Sequence, residues 1–342
     1  MYKCPRQQNN IETDKSSYQV ELARFARLRL VSRFWNQTIT PVIHSEAVIF
    51  TLPIKALQKR LKFLDHGAEH IKSLILVDTL SLPYLNYAPN VKPEILKEAR
   101  ELLAQRLSSK CSSSNVQTME CHGISHAFIW RGWVQKTLPN LTSTTKNLVF
   151  QRVSTPTLSH ALVNLGRSIQ RLEVHSWSSP PELKNGCFHL PTEIPLLQDI
   201  TLVNGDPPQS VIQKLFSRIG NARKSTTVRH DVPLRSLTLR NVKTLGIEGT
   251  LTILRTNSIG KNLVSLVLEP PSHWFWLTAY PIAIVKECPS LVKFSYFSSI
   301  KKDLFVHLPP TLRHLHLAIN FYQLHRGRED GLIGSAAGFP RQ

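Results

Sequence analysis

The stretch Leu234-Arg235-Ser236-Leu237-Thr238-Leu239 is written again, with small changes, as LVSLVL at 263–268 and LRHLHL at 312–317. In LRSLTL the last two leucines stand on either side of one polar residue. That alternation is the period of two of a half-buried strand. Leu237 and Leu239 should point into a core, and Ser236, Thr238 and Arg240 should point the other way. Aligning the chain on the three apolar positions adds IKSLIL (71–76), VQTMEC (116–121), KNLVF (146–150), IQRLEV (169–174), LQDITL (197–202) and LVKFSY (291–296), nine phrases in all. KNLVF is the loosest, matching only at Leu148 and Phe150.

The spacing allots one structural unit to each phrase. Leu234 to Leu263 is 29 residues, Leu263 to Leu291 is 28, Ile169 to Leu197 is 28 and Leu291 to Leu312 is 21. Two gaps are longer, 45 residues from Ile71 to Val116 and 37 from Leu197 to Leu234, and there longer helices or insertions are expected. The segments between phrases read as helices. PEILKEARELLAQRL (93–107) opens on Pro93 and carries Ile95, Leu96, Ala99, Leu102, Leu103 and Leu107 on one face. PPQSVIQKLFSRIG (207–220) has the same design, with a proline start and a glycine stop. TPTLSHALVNLG (155–166) and AYPIAIVKEC (279–288) are similar. No such unit can bury its apolar face alone, whereas stacked neighbours can. The pattern resembles the irregular leucine-rich repeats of intracellular proteins, over about residues 65–323. The fold expected is α/β: a strand–helix solenoid with a curved parallel sheet. Arg240, Glu269 and Ala318 follow the third apolar position where an Asn or Cys is usual, so a ragged solenoid without a regular asparagine ladder is expected.

The chain has 342 residues, 42% of them apolar, enough for a sizeable core. Its formal net charge is +19, which suits an acidic partner or a strongly solvated surface. Five cysteines, Cys4, Cys111, Cys121, Cys187 and Cys288, lie far apart with no C-x-x-C pair, which reads as reduced thiols rather than a disulfide framework. The polar start MYKCPRQQNN has no apolar secretory core, and no run of about 18 apolar residues occurs. The location expected is cytoplasmic, nuclear or both, with no membrane partner.

A different kind of segment precedes the repeats. LARFARLRLVSRFWNQTITPVIHSEAVIF (22–50) has a helical pattern through Leu22, Phe25, Ala26, Val31, Phe34 and Trp35, with Arg24, Arg27, Arg29 and Arg33 between, and Thr40-Pro41 breaks it. Leu28, Leu30, Val31, Arg33, Phe34 and Trp35 resemble the second half of an F-box, the adaptor-docking motif that occurs with leucine-rich repeats in a family common in fungi. The first half of that motif, with its Leu-Pro segment, has no counterpart in residues 1–20, so the F-box is incomplete. The resemblance implies that these six residues dock on the adaptor subunit of a cullin–RING ubiquitin ligase, or cap the repeats. It further implies that the solenoid holds a substrate protein. The organisation expected is a disordered N-terminus at 1–17, a partial F-box-like helical region at 18–50, a solenoid at 51–323 and a disordered tail at 324–342.

No constellation of catalytic spacing is present. The chain has no G-x-S-x-G, H-E-x-x-H or G-x-G-x-x-G, and Ile259-Gly260-Lys261-Asn262 lacks the rest of a phosphate loop. A non-enzymatic protein without cofactor is expected. His314 and His316 fall on the solvent side of LRHLHL and read as exposed polar residues rather than metal ligands. His273-Trp274-Phe275-Trp276 is either a core plug or a binding patch. Lys72, Glu120, Glu173, Arg235, Thr238, Arg313, His314 and His316 are the candidates for contact with a partner on the concave face. Their mixture of charged, polar and apolar neighbours suits a protein ligand better than a phosphate backbone. A basic insertion is expected at 218–235, with Arg218, Arg223, Lys224 and Arg229; nucleic acid is the weaker alternative there. The reading is a substrate-recognition subunit, with a free-standing interaction scaffold as the alternative.

Overall fold

The computed structural model describes residues 44–50, 53–64, 68–77, 116–122, 144–178, 194–219, 233–271, 280–298 and 302–317, with Leu190, Pro191, Ile300 and scattered positions between 94 and 105. Among them ten strands form one sheet, ordered in space as in sequence and parallel throughout. They are β1 (Glu46–Phe50), β2 (Ser73–Val77), β3 (Thr118–His122), β4 (Asn147–Gln151), β5 (Arg171–His175), β6 (Asp199–Gly205), β7 (Ser236–Val242), β8 (Ser265–Glu269), β9 (Lys293–Tyr296) and β10 (His314–Leu317). Helices return the chain from one strand to the next. They are α1 (Ile54–Leu64), α2 (Thr155–Leu165), α3 (Gln209–Ser217), α4 (Ile247–Arg255), α5 (Ile259–Asn262) and α6 (Tyr280–Glu287). A six-residue 3-10 turn, Lys302–His307, takes that role between β9 and β10. This α/β arrangement is consistent with a repeat solenoid.

Each of the nine phrases contributes a strand, and their apolar positions align across the sheet. The second strand residues form one buried column: Ala47, Leu74, Met119, Leu148, Leu172, Ile200, Leu237, Leu266 and Phe294. The fourth residues form another, from Ile49 and Leu76 to Leu268 and Tyr296. In seven of the nine phrases the first apolar residue lies ahead of its strand and is buried too, at Ile71, Val116, Ile169, Leu197, Leu234, Leu263 and Leu291, whereas Leu312 is half-buried. Burying one such side chain is worth about 1.5–3 kcal/mol. A column of them joined to its neighbours is therefore the main cohesive element. The tenth strand, β1, comes from EAVIF, which contains no Leu-x-x-Leu-x-Leu phrase, yet Ala47 aligns with Leu74 and Ile49 with Leu76.

The strand starts show why the register holds. Lys72 and Ser73 both donate backbone N–H groups to the Ser45 carbonyl, at 2.8 and 3.0 Å. Gln117 and Thr118 do the same to Lys72, and the pattern repeats at every strand as far as Arg313 and His314 on Val292. The strand ends show a second regularity. Arg152, Ser176, Asn204 and Asn241 all have positive φ, between 50° and 62°, and turn the chain off β4, β5, β6 and β7. Asn tolerates this left-handed conformation better than most residues. Asn241 Nδ2 donates to Asn204 Oδ1 at 2.9 Å, so two rungs of an asparagine ladder exist, each one residue later than the position the phrases pointed to.

The helices bury the faces that spacing marked out, with two adjustments. In α3 Ile212, Leu215 and Phe216 are buried while Val211 is half-exposed. The described residues between 94 and 105 are helical and Ala99 is buried, but Ile95 is 37% exposed and lies off the buried face. Neighbouring helices are pinned at specific points. Tyr280 on α6 donates its hydroxyl to Thr250 on α4 at 2.8 Å. Gly260 in α5 sits so close to α6 that an added Cβ would lie 2.5 Å from the Glu287 carbonyl. No described helix is long and apolar enough to cross a membrane.

Candidate functional site

The helices and the core occupy one side of the sheet. The other side consists of the first, third and fifth residues of each strand, most of them half-exposed. Alternation dictates this: if Leu237 and Leu239 are buried, Ser236, Thr238 and Arg240 must face away. The first column reads Glu46, Ser73, Thr118, Asn147, Arg171, Asp199, Ser236, Ser265, Lys293, His314. The third reads Val48, Ile75, Glu120, Val149, Glu173, Thr201, Thr238, Val267, Ser295, His316.

Glu120, Glu173, Thr238, His314 and His316 therefore lie on the open face as the phrases implied. Lys72, Arg235 and Arg313 lie one residue ahead of their strands, exposed, at the margin where the paired backbone bonds are made. Arg218 does not belong to an exposed insertion. It caps the C-terminus of α3, is half-buried, and its carbonyl accepts from Ile194 N–H at 3.0 Å. Arg223, Lys224 and Arg229 lie outside the described residues, as do Leu28, Leu30, Val31, Arg33, Phe34, Trp35 and the 273–276 aromatic cluster.

The face is electrically uneven. Toward β1–β6 it holds two Glu–His couples in the same geometry on alternate strands. His122 Nε2 is 2.6 Å from Glu120 Oε1 on β3, and His175 Nε2 is 2.6 Å from Glu173 Oε1 on β5. Arg171 adds a bond to Glu173 Oε2 at 2.9 Å. The hydrogen bond from His175 holds the Glu173 carboxyl below the usual carboxylate range against partial burial, helped by the charges of His175 and Arg171. Glu46 shifts the other way: burial pushes its carboxyl up, and the Glu120 charge adds to the push. Between the couples β4 contributes neutral residues, with Asn147 Nδ2 donating to Thr118 Oγ1 at 3.1 Å.

Toward β7–β10 the face is cationic and aromatic. The Arg240 guanidinium stands 5.4 Å from the ring centre of Phe297, and His316 meets the same ring edge-on at 5.2 Å. Arg240 also approaches Glu269 at 3.9 Å. Lys293 and His314 are exposed beside them. The phrases did not reveal His122, His175, Arg240, Glu269 or Phe297 as site residues, because they stop at the fourth strand position and these side chains follow it. Glu-x-His at 120–122 and again at 173–175 was the available signal.

No described group of three or more His, Cys, Asp or Glu residues could hold a metal ion. Both described cysteines, Cys121 and Cys288, are buried free thiols. Burial, with a smaller push from Glu287, raises the Cys288 thiol to about 12. What the arrangement offers is a long patterned surface with acidic, apolar and cationic zones. No family model matches the chain, and no curated protein matches it.

Proposed function

We propose that this chain is a non-enzymatic substrate-recognition subunit of a cullin–RING ubiquitin ligase. In this reading a leucine-rich-repeat solenoid holds the substrate protein on its open sheet face, and the F-box-like residues at 28–35 reach the adaptor subunit. The observation that carries the binding half is the sheet itself. Ten in-register strands have one side filled by helices and the core, and the other side bears columns of mixed polar, apolar and charged residues. Such a surface recognises an extended or irregular protein partner through several weak contacts with a few strong ones. The ligase half is supported by the sequence of Leu28, Leu30, Val31, Arg33, Phe34 and Trp35.

The test is co-purification of the chain with the adaptor subunit, beside a Leu30→Ala/Trp35→Ala variant. Retention by the parent chain and loss in a variant with an unchanged circular dichroism spectrum supports the ligase reading. Failure of the parent chain to retain the adaptor leaves a protein-interaction scaffold. A nucleic-acid role would instead appear as steeply salt-dependent binding lost in an Arg223→Ala/Lys224→Ala variant.

A further inference from the structure

We infer that the N-terminal half of the open face takes a lysine or arginine side chain of its protein partner, seated over Val149 between Glu120 and Glu173. This rests on the open face being the binding surface, and it adds the chemistry of what binds there.

Charge is placed unevenly along the open face. The chain carries a net charge of +19, so an unselective surface should be cationic everywhere. The strand residues on the open face of β1–β6 run against that trend. They include Glu46, Glu120, Glu173 and Asp199, against Arg171 as the one lysine or arginine. The same columns over β7–β10 hold Arg240 and Lys293, with Glu269 beside Arg240. The face is thus segregated, and its first half complements a cationic segment.

The spacing of the strands suits one cationic side chain. β3 and β5 are separated only by β4, so Glu120 and Glu173 stand about 10 Å apart, two strand spacings. Val149 lies between them in the same column and is half-exposed. A lysine or arginine can lay its apolar stem on that valine and present its head to both carboxylates. Each carboxylate is oriented by a histidine two residues on, at 2.6 Å, and Glu173 also accepts from Arg171 at 2.9 Å, a bond that a partner's cation would have to share. Preorganised acceptors lose less entropy on binding than free ones. Glu46 adds a further carboxyl to the same face, pushed up first by burial and then by the Glu120 charge.

Among the described strand residues, the charged and titratable groups on this part of the face are Glu46 on β1, Glu120 and His122 on β3, Arg171, Glu173 and His175 on β5, and Asp199 on β6. β2 and β4 contribute only neutral side chains there.

The experiment uses the full chain and two fluorescein-labelled peptides of equal length, one alternating Arg and Ala, the other alternating Glu and Ala. Fluorescence anisotropy in low salt measures binding. The cationic peptide is expected to bind despite the positive net charge of the chain. Glu120→Gln/Glu173→Gln should weaken it by about tenfold or more, the loss of one charge-assisted contact. Glu248→Gln, exposed on α4 and away from the open face, should leave it unchanged. If the double variant fails to keep its circular dichroism spectrum, each single variant should show a smaller loss of the same sign. Absence of cationic binding, or binding indifferent to these substitutions, overturns the proposal. In that case, binding of the acidic peptide that is lost in Arg240→Ala keeps the open face as the binding surface. Binding of neither peptide counts against the face as well.

Discussion

Leu237 and Leu315 hold the same position in their strands, yet Leu237 is fully buried and Leu315 is 37% exposed. The difference lies in the neighbours. Leu237 on β7 lies between Ile200 on β6 and Leu266 on β8. Leu315 on β10 aligns with Phe294 on β9, and β10 is the last described strand. Beside it, Phe305 and Val306 on the preceding 3-10 turn are also exposed. A leucine in this architecture is worth what its two flanking rungs make it worth. Burial here belongs to the stack more than to the residue.

The comparison can be broken most directly by truncating both leucines. Leu237→Ala should cost about 2–5 kcal/mol, the range for emptying a sealed core site, whereas Leu315→Ala should cost less than about 1 kcal/mol. Urea unfolding followed by circular dichroism measures both. Equal losses would mean that β10 is as well supported as β7. A smaller effect is expected where the interior is pinned by one hydrogen bond. Tyr280→Phe removes the hydroxyl that reaches Thr250 and should cost about 1 kcal/mol by the same measurement.

The open face offers a pH-dependent version of the test. Glu173 has its carboxyl lowered in the folded state, so the stability it contributes is present above the unfolded carboxylate value and is lost as pH falls through the lower folded value. Glu173→Gln should therefore be less stable than the parent chain near neutrality, and the gap should close below about pH 4. Glu46→Gln has the opposite sign, because a raised carboxyl weakens the fold as pH rises past it. A urea titration across acidic pH follows both. Smallest in energy, but sharp in readout, is thiol labelling. Cys121 and Cys288 are sealed in the interior with their thiols pushed up by burial. Both should resist iodoacetamide in the native protein and react once urea unfolds it, as peptide mass spectrometry would show. Rapid native labelling of either would mean that the interior opens more readily than its packing implies.

Much of the sheet could be read from the chain because its code is short. Three apolar positions per unit state where a strand starts and which side is buried, and nine strands follow that code. β1 escaped because EAVIF packs with small and branched residues, with Ala47 where other strands place a larger side chain. The open face was half legible. Glu120 and Glu173 stand between the apolar residues of their phrases, but their partners His122 and His175 lie beyond the last apolar residue. The pairing across strands that joins Arg240 to Phe297 and His316 depends on register, which a one-dimensional reading does not contain. Ile95 shows the reverse limit: helical spacing placed it on the apolar face, and packing did not.

The in-register stacking of strands has a metrical consequence. Strands about 4.8 Å apart give ten of them a span of about 43 Å, and an extended chain advances about 3.3 Å per residue. A peptide lying across the strands would thus be read over about 13 residues. Each unit accounts for between one and two of them. The open face is a ruler graduated in strands, and gaining or losing one unit would change the length of the message it reads while leaving the other graduations in place.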